Sequence, residues 1–240
     1  MTQIKKIALV SLLSLALSSC AYIDPLIQDA NVVSIPDEVQ ASNQMAAEVA
    51  KTMTVSQSAQ LTALGNRLVS VLPQKDFDYQ FYIVNNNEPN AFTIPGAKIY
   101  VHSGLLKFAD DENEIAGVIA HEIGHAFQRH PAKAMTRQMG LEQISSKIAG
   151  GNSAAFKQIA LKIAGTGALN FYSRKDETEA DAIGFDLLRK AGYPSDGLTR
   201  FLQKLLKATN GQQAPIFLSS HPPTPERIAA LDALAAKAQR

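Results

Sequence analysis

The chain has a single cysteine, no excess of charge of either sign and no long hydrophobic run. One thiol, Cys20, excludes any intramolecular disulfide. Lysine and arginine (23) balance aspartate and glutamate (22), so there is no basic footprint and nucleic acid is not expected as a partner. The apolar stretch from Ile7 to Leu17 is about half the length that a bilayer-spanning helix needs. No low-complexity tract or internal repeat interrupts the sequence. With 240 residues, 46% of them hydrophobic, the chain can bury one full core.

The short apolar stretch is still informative. Lys5 and Lys6 precede it and Leu17-Ser18-Ser19-Cys20 follows it, the layout of a secretory signal peptide over residues 1–19 ending in a bacterial lipobox. Cys20 would then carry the lipid. Ala21, rather than Asp, after the cysteine resembles lipoproteins of Gram-negative bacteria sorted to the outer membrane. The expectation is therefore a lipid-anchored protein on the periplasmic face. Residues 20–40 lack periodicity and read as a tether or strap, leaving residues 41–240 as one folded domain.

His121-Glu122-Ile123-Gly124-His125 reads H-E-x-x-H. Imidazoles four residues apart differ by only about 40° around a helix, so both can reach one metal ion. Glu122 then lies beside the metal, where a carboxylate can take a proton from water. The surroundings favour a helix. Acidic residues at 110–114 suit an N-terminus, and Ile115, Ile119, Ile123 and Phe127 form an apolar stripe roughly opposite the histidines.

Most of the remaining chain also reads as helix, with segments over 41–52, 56–71, 132–149 and 153–164. Tyr79 to Val84, Ala91 to Ile94 and Lys98 to His102 read as strands. Pro95-Gly96 makes a turn between the last two, supplying fixed and then positive φ. The pair Gly150-Gly151 breaks a helical hairpin that has the position of a lid or of a plain packing element. Ser173 and Asp176 fit a capping box for a helix ending at Gly192. Another helix covers 197–209, and after an irregular stretch Pro225 opens the last one. The pattern predicts an α+β domain, mostly helical, with a small antiparallel sheet.

A zinc hydrolase needs three protein ligands and one open position. The longer motif H-E-x-x-H-x-x-G-x-x-H would require Gly at 128 and His at 131, where this chain has Gln128 and Pro131. His130, one position out of register, reads as a surface or structural residue. The capped helix offers Glu177 and Asp181 on one face, with Glu179 turned about 200° away from Glu177 and expected in solvent. Glu177 as ligand and Asp181 as acceptor for the free N–H of a ligating histidine would have a clear use, although a generic charged helix face has the same spacing.

Together, His121 to His125, Tyr172-Ser-Arg-Lys-Asp-Glu-Thr-Glu-Ala-Asp181 and Ser220-His-Pro-Pro-Thr-Pro-Glu-Arg227 resemble the HtpX/BepA and CAAX-prenyl-protease type of gluzincin metallopeptidase over residues 50–235. The resemblance implies a zincin-like fold, one zinc ion on His121, His125 and Glu177, and Glu122 as the base. It matches His221 and Arg227 to a further pair at the cleft. His221 would either donate to the developing oxyanion or occupy the open zinc position in a latent state. Asn90, Ala91 and Phe92 resemble an edge strand to which substrate backbone would add.

The expected function is a zinc endopeptidase acting on unfolded or misassembled envelope proteins, with the outer-membrane assembly machinery as a possible partner. The alternatives are a latent protease held off by His221 and a non-enzymatic assembly factor or chaperone with a structural zinc.

Overall fold

The computed structural model describes residue 31 and residues 33–139, 172–208 and 216–238. The expected signal peptide, Cys20, the helix expected over 153–164 and the hairpin expected at Gly150-Gly151 lie outside them. Helix α1 (Ile35–Thr52) is followed by β1 (Val55–Ser56), α2 (Ala59–Ser70), β2 (Gln80–Val84), β3 (Ala91–Ile94) and β4 (Lys98–His102). The helices α3 (Ser103–Phe108), α4 (Glu112–Phe127), α5 (His130–Met139), α6 (Arg174–Lys190), α7 (Gly197–Ala208), α8 (Ile216–Ser220) and α9 (Pro225–Ala238) complete the described chain.

Helix α1 starts at Ile35, six residues before the expected boundary, because Ser34 caps it and Pro36 suits its first turn. Part of the expected tether is therefore folded onto the domain. The sheet is mixed rather than antiparallel. Its order is β1-β2-β4-β3, with β1 antiparallel to β2, β2 parallel to β4 and β4 antiparallel to β3. The cause is topological: the chain leaves β2, passes β4's place, forms β3 at the edge and returns as β4 between them. The return is the Pro95-Gly96 turn, where Gly96 (φ 73°) and Ala97 (φ 62°) both take the left-handed region.

Side chains alternate across the pleat. Phe81, Ala91, Ile99 and Val101 enter the main core with α2, α4, α6 and α7, while Val84, Phe92, Ile94 and Tyr100 pack under Met45 and Val49 of α1. Helix α4 begins at Asp111, whose side chain accepts from the Glu114 amide, and is buried without interruption from Ala116 to Ala126. It packs most extensively against α6. That contact is close because glycines meet backbone there. A Cβ on Gly124 would lie 2.7 Å from the Ala180 carbonyl oxygen, and one on Gly184 would lie 3.0 Å from the His121 nitrogen. The two helices thus approach backbone to backbone at the level of the histidines.

Candidate metal centre

Helix α4 carries His121, Glu122 and His125 inward, and all three are fully buried. Opposite them, α6 is started by the expected capping box, with Ser173 and Asp176 each bonding the other's backbone N–H. This fixes the first turn, so Glu177 and, one turn on, Asp181 face α4. The His121 and His125 Nε2 atoms are 3.0 Å apart. Glu177 approaches His121 Nε2 at 3.5 Å and His125 Nε2 at 3.4 Å. The ring of His221, just past α8, brings Nδ1 to 3.2 Å from His121 Nε2 and 3.1 Å from Glu177 Oε1. One donor atom from each of these four residues lies within 4.8 Å of every other.

These separations suit a cation. Four ligands at zinc's bond lengths of about 2.0–2.1 Å in a tetrahedron stand about 3.3 Å apart. The proton placement agrees. The Asp181 carboxylate, 2.9 Å from His121 Nδ1, can only accept, so Nδ1 keeps a proton and Nε2 is the nitrogen that a metal would take in exchange for its proton. Lone pairs converging at about 3 Å repel unless a cation or proton lies between them. Three imidazole nitrogens and one carboxylate oxygen form a donor set compatible with zinc.

Burial opposes charge on His121, but Asp181 and Glu177 outweigh it and raise its pKa to about 9. His125 goes the other way, lowered well below the usual histidine range by burial and then by the neighbouring His121. Burial works against ionised Glu177, yet His221 and His125 hold its pKa well below the carboxylate range. Asp181 is likewise lowered despite burial, chiefly through Arg227 and His121.

Arg227, in the first turn of α9, clamps both acids. Its Nε and Nη2 donate to Asp181 at 2.7 and 2.8 Å, and its Nη1 lies 2.7 Å from Glu177 Oε2. Glu122 faces the same space from the other side. Its Oε2 accepts from Thr93 Oγ1 at 2.7 Å, and its Oε1 is 3.3 Å from His221 Nε2.

The structure therefore brings together His121, Glu122, His125, Glu177, Asp181, His221 and Arg227. Asn90, Ala91 and Phe92 are instead buried, backbone included, and Phe92 packs toward α1, so in this arrangement the strand presents no exposed edge. Three neighbours were not foreseen. Thr93 anchors Glu122, and it is the polar residue within the apolar strand Ala91 to Ile94. Tyr172 stacks on the His125 ring at 3.9 Å between centroids and reaches the Thr93 carbonyl at 3.4 Å, while Phe217 stacks on His221 at 4.8 Å. His130 is fully buried against His125, which excludes the surface position. Glu179, expected in solvent, is only partly exposed because it bonds His130 at 3.1 Å.

An H-E-x-x-H helix joined to a carboxylate one helix away, in a mostly helical fold with a small mixed sheet, is the zincin-like arrangement of a metallopeptidase. The chain belongs to peptidase family M48, whose model matches residues 55–235. It is 34% identical to the beta-barrel assembly-enhancing protease of Escherichia coli K12 over 180 residues, 70% of this chain and 37% of that protein. This chain thus spans little over a third of the length of that relative. It is 32% identical to the metalloprotease LoiP of the same organism over 205 residues, covering 84% of this chain and 79% of LoiP. The metalloprotease YcaL, also from that organism, is 29% identical over 214 residues, 86% of this chain and 81% of YcaL. Among the described residues, no helix is long and apolar enough to cross a membrane.

Proposed function

We propose that this chain is a zinc endopeptidase whose metal is held by His121, His125 and Glu177, with Glu122 as general base. The observation that supports this most is the convergence of those donors at tetrahedral spacing, with Glu122 facing the same space across His221. Zinc in such a site polarises a scissile carbonyl and makes water acidic enough to lose a proton near neutral pH. Glu122, oriented by Thr93, takes one proton from the attacking water and delivers it to the leaving amine nitrogen as the peptide bond breaks. Asp181 holds His121 in the ligating tautomer, and Arg227 holds Asp181 and Glu177 in place.

Strand β3 comes last in the sheet order but is buried as described, so a peptide would pair with it once that edge is uncovered, and would then be read through its backbone rather than its sequence. This supports unfolded or misassembled envelope proteins as substrates, as does the similarity to a relative named for β-barrel assembly. The lipid anchor on Cys20, a periplasmic location at the outer membrane and contact with its assembly machinery belong to the same proposal.

A second reading is favoured by the position of His221. Its Nδ1 completes a four-donor set and its Nε2 faces Glu122, so the ring fills the place that the attacking water needs. A closed set suits a resting state, whereas catalysis requires an open position. The arrangement described is on this reading a latent protease, and His221 must swing aside before turnover.

One casein-cleavage assay tests both. Glu122→Gln should abolish cleavage while the protein still binds one zinc, and retained cleavage refutes the mechanism. His221→Ala should raise basal cleavage if the ring is a plug. Loss of cleavage in that variant rejects latency and assigns His221 to the oxyanion instead.

A further inference from the structure

His121 and His125 are supported differently. His121 Nδ1 meets the Asp181 carboxylate directly. Among the described residues, no carboxylate meets His125 Nδ1. Its partner there is another ring, His130 Nδ1, at 2.9 Å. The other nitrogen of His130 lies 3.1 Å from Glu179 Oε2, and Asp176 stands beyond hydrogen-bond range at 3.6 Å.

Proton accounting allows a single arrangement. His125 Nε2 faces His121 Nε2 and Glu177, so a metal there requires Nε2 to keep its lone pair. The His125 proton is then on Nδ1 and donates to His130 Nδ1. His130 must accept at Nδ1, so its own proton is on Nε2 and donates to Glu179. Any other tautomer of His130 would point N–H against N–H.

We propose that His130 is a positioning residue of the metal centre, accepting the His125 Nδ1–H and relaying the restraint to Glu179. It does for His125 what Asp181 does for His121. The inference rests on the metal-binding reading above. A continuous helix would place residue 130 away from His125. Instead Arg129 takes a left-handed conformation (φ 56°), which ends α4 and turns His130 back beneath the ring five residues earlier. That bend is held by buried Glu38, 2.8 Å from Arg129 Nε, and by the Val33 carbonyl at 2.5 Å from Nη2.

The test is zinc affinity, measured by competition with a chromophoric chelator on the full chain. Replacing the ring by His130→Leu removes the acceptor and should weaken zinc by about 10–100-fold, the usual cost of losing such a partner. His130→Asn, whose Oδ1 can take the place of Nδ1, should restore affinity to within a few-fold of wild type. A packing role alone would let Leu substitute and would not be rescued by Asn. Equal affinity in the Leu variant, or equal loss in both, overturns the proposal. If the Leu variant fails to fold, partly exposed Glu179→Ala carries the test, with weakened zinc binding expected and unchanged binding overturning it. If the wild type itself binds no zinc, the metal reading falls first and this inference with it.

Discussion

Arg227→Met removes the clamp on the two acids while keeping most of the side chain's apolar stem. Arg227 is 5% exposed and donates to both oxygens of Asp181, besides reaching Glu177 and the Pro222 carbonyl. The substitution leaves two buried carboxylates sharing only the His121 imidazolium, and breaking a buried pair from one side costs on the order of 3–5 kcal/mol. For a domain of this size that is a fall in Tm of roughly 6–20 °C, at about 2–4 °C per kcal/mol. The measurement is thermal unfolding of the metal-free protein, since bound zinc would partly compensate Glu177.

The sign of the pH dependence follows from Asp181. Its native pKa is depressed, so its stabilising contribution is present above the unfolded carboxylate value and is lost as pH falls through the native one. The variant lacks that contribution, and its stranded carboxylates take up protons readily. The wild-type and variant curves should therefore be furthest apart near pH 7 and converge on acidification. A deficit under about 1 kcal/mol, as at an exposed pair, would refute the clamp, and so would a deficit that stays constant from neutral pH to the carboxylate range.

Two further outcomes follow from the same geometry. Gly124→Ala puts a methyl 2.7 Å from the Ala180 oxygen, so α4 and α6 must part. Overpacking of about 1–3 kcal/mol, offset by about 1 kcal/mol of helix propensity, predicts a modest loss of stability but a clear loss of zinc affinity, because Glu177 moves away with α6. Unchanged affinity in chelator competition would show that the helix spacing does not set the site. With the His121 pKa near 9, the metal-free protein carries that proton at pH 7.5, so zinc binding should release about one proton there and progressively fewer as pH rises past 9. Calorimetry in buffers of different ionisation enthalpy reads the number, and zero release at pH 7.5 would contradict a protonated His121.

Much of the site is local in origin and was legible before any coordinates. The four-residue interval of His121 and His125, the capping box at Ser173 and the spacing of Glu177 and Asp181 each depend on helical periodicity and hydrogen bonds within one turn. Those rules act within a dozen residues, which is why α4 and α6 were expected where they are found. The turn at Pro95-Gly96 was readable for the same reason. The parallel pairing of β2 with β4 was not, since alternation along a strand says nothing about which neighbour it meets or in which direction.

His130 shows where local rules stop. Helical geometry places it off the metal face, and a single left-handed residue, Arg129, puts it under His125. That conformation is unfavourable for a non-glycine residue and persists because Glu38 and Val33, more than 90 positions away, hold the guanidinium. Likewise Thr93, Tyr172 and Phe217 reach the centre from separate elements. The chain's own periodicities put His121 and His125 on one helix face and Glu177 and Asp181 on another, and the family resemblance singled out Glu177 as the third candidate ligand. The partners that orient those ligands, and the place of His221 between the donors and Glu122, arise only when distant segments pack, because each depends on contacts that no short stretch of sequence contains.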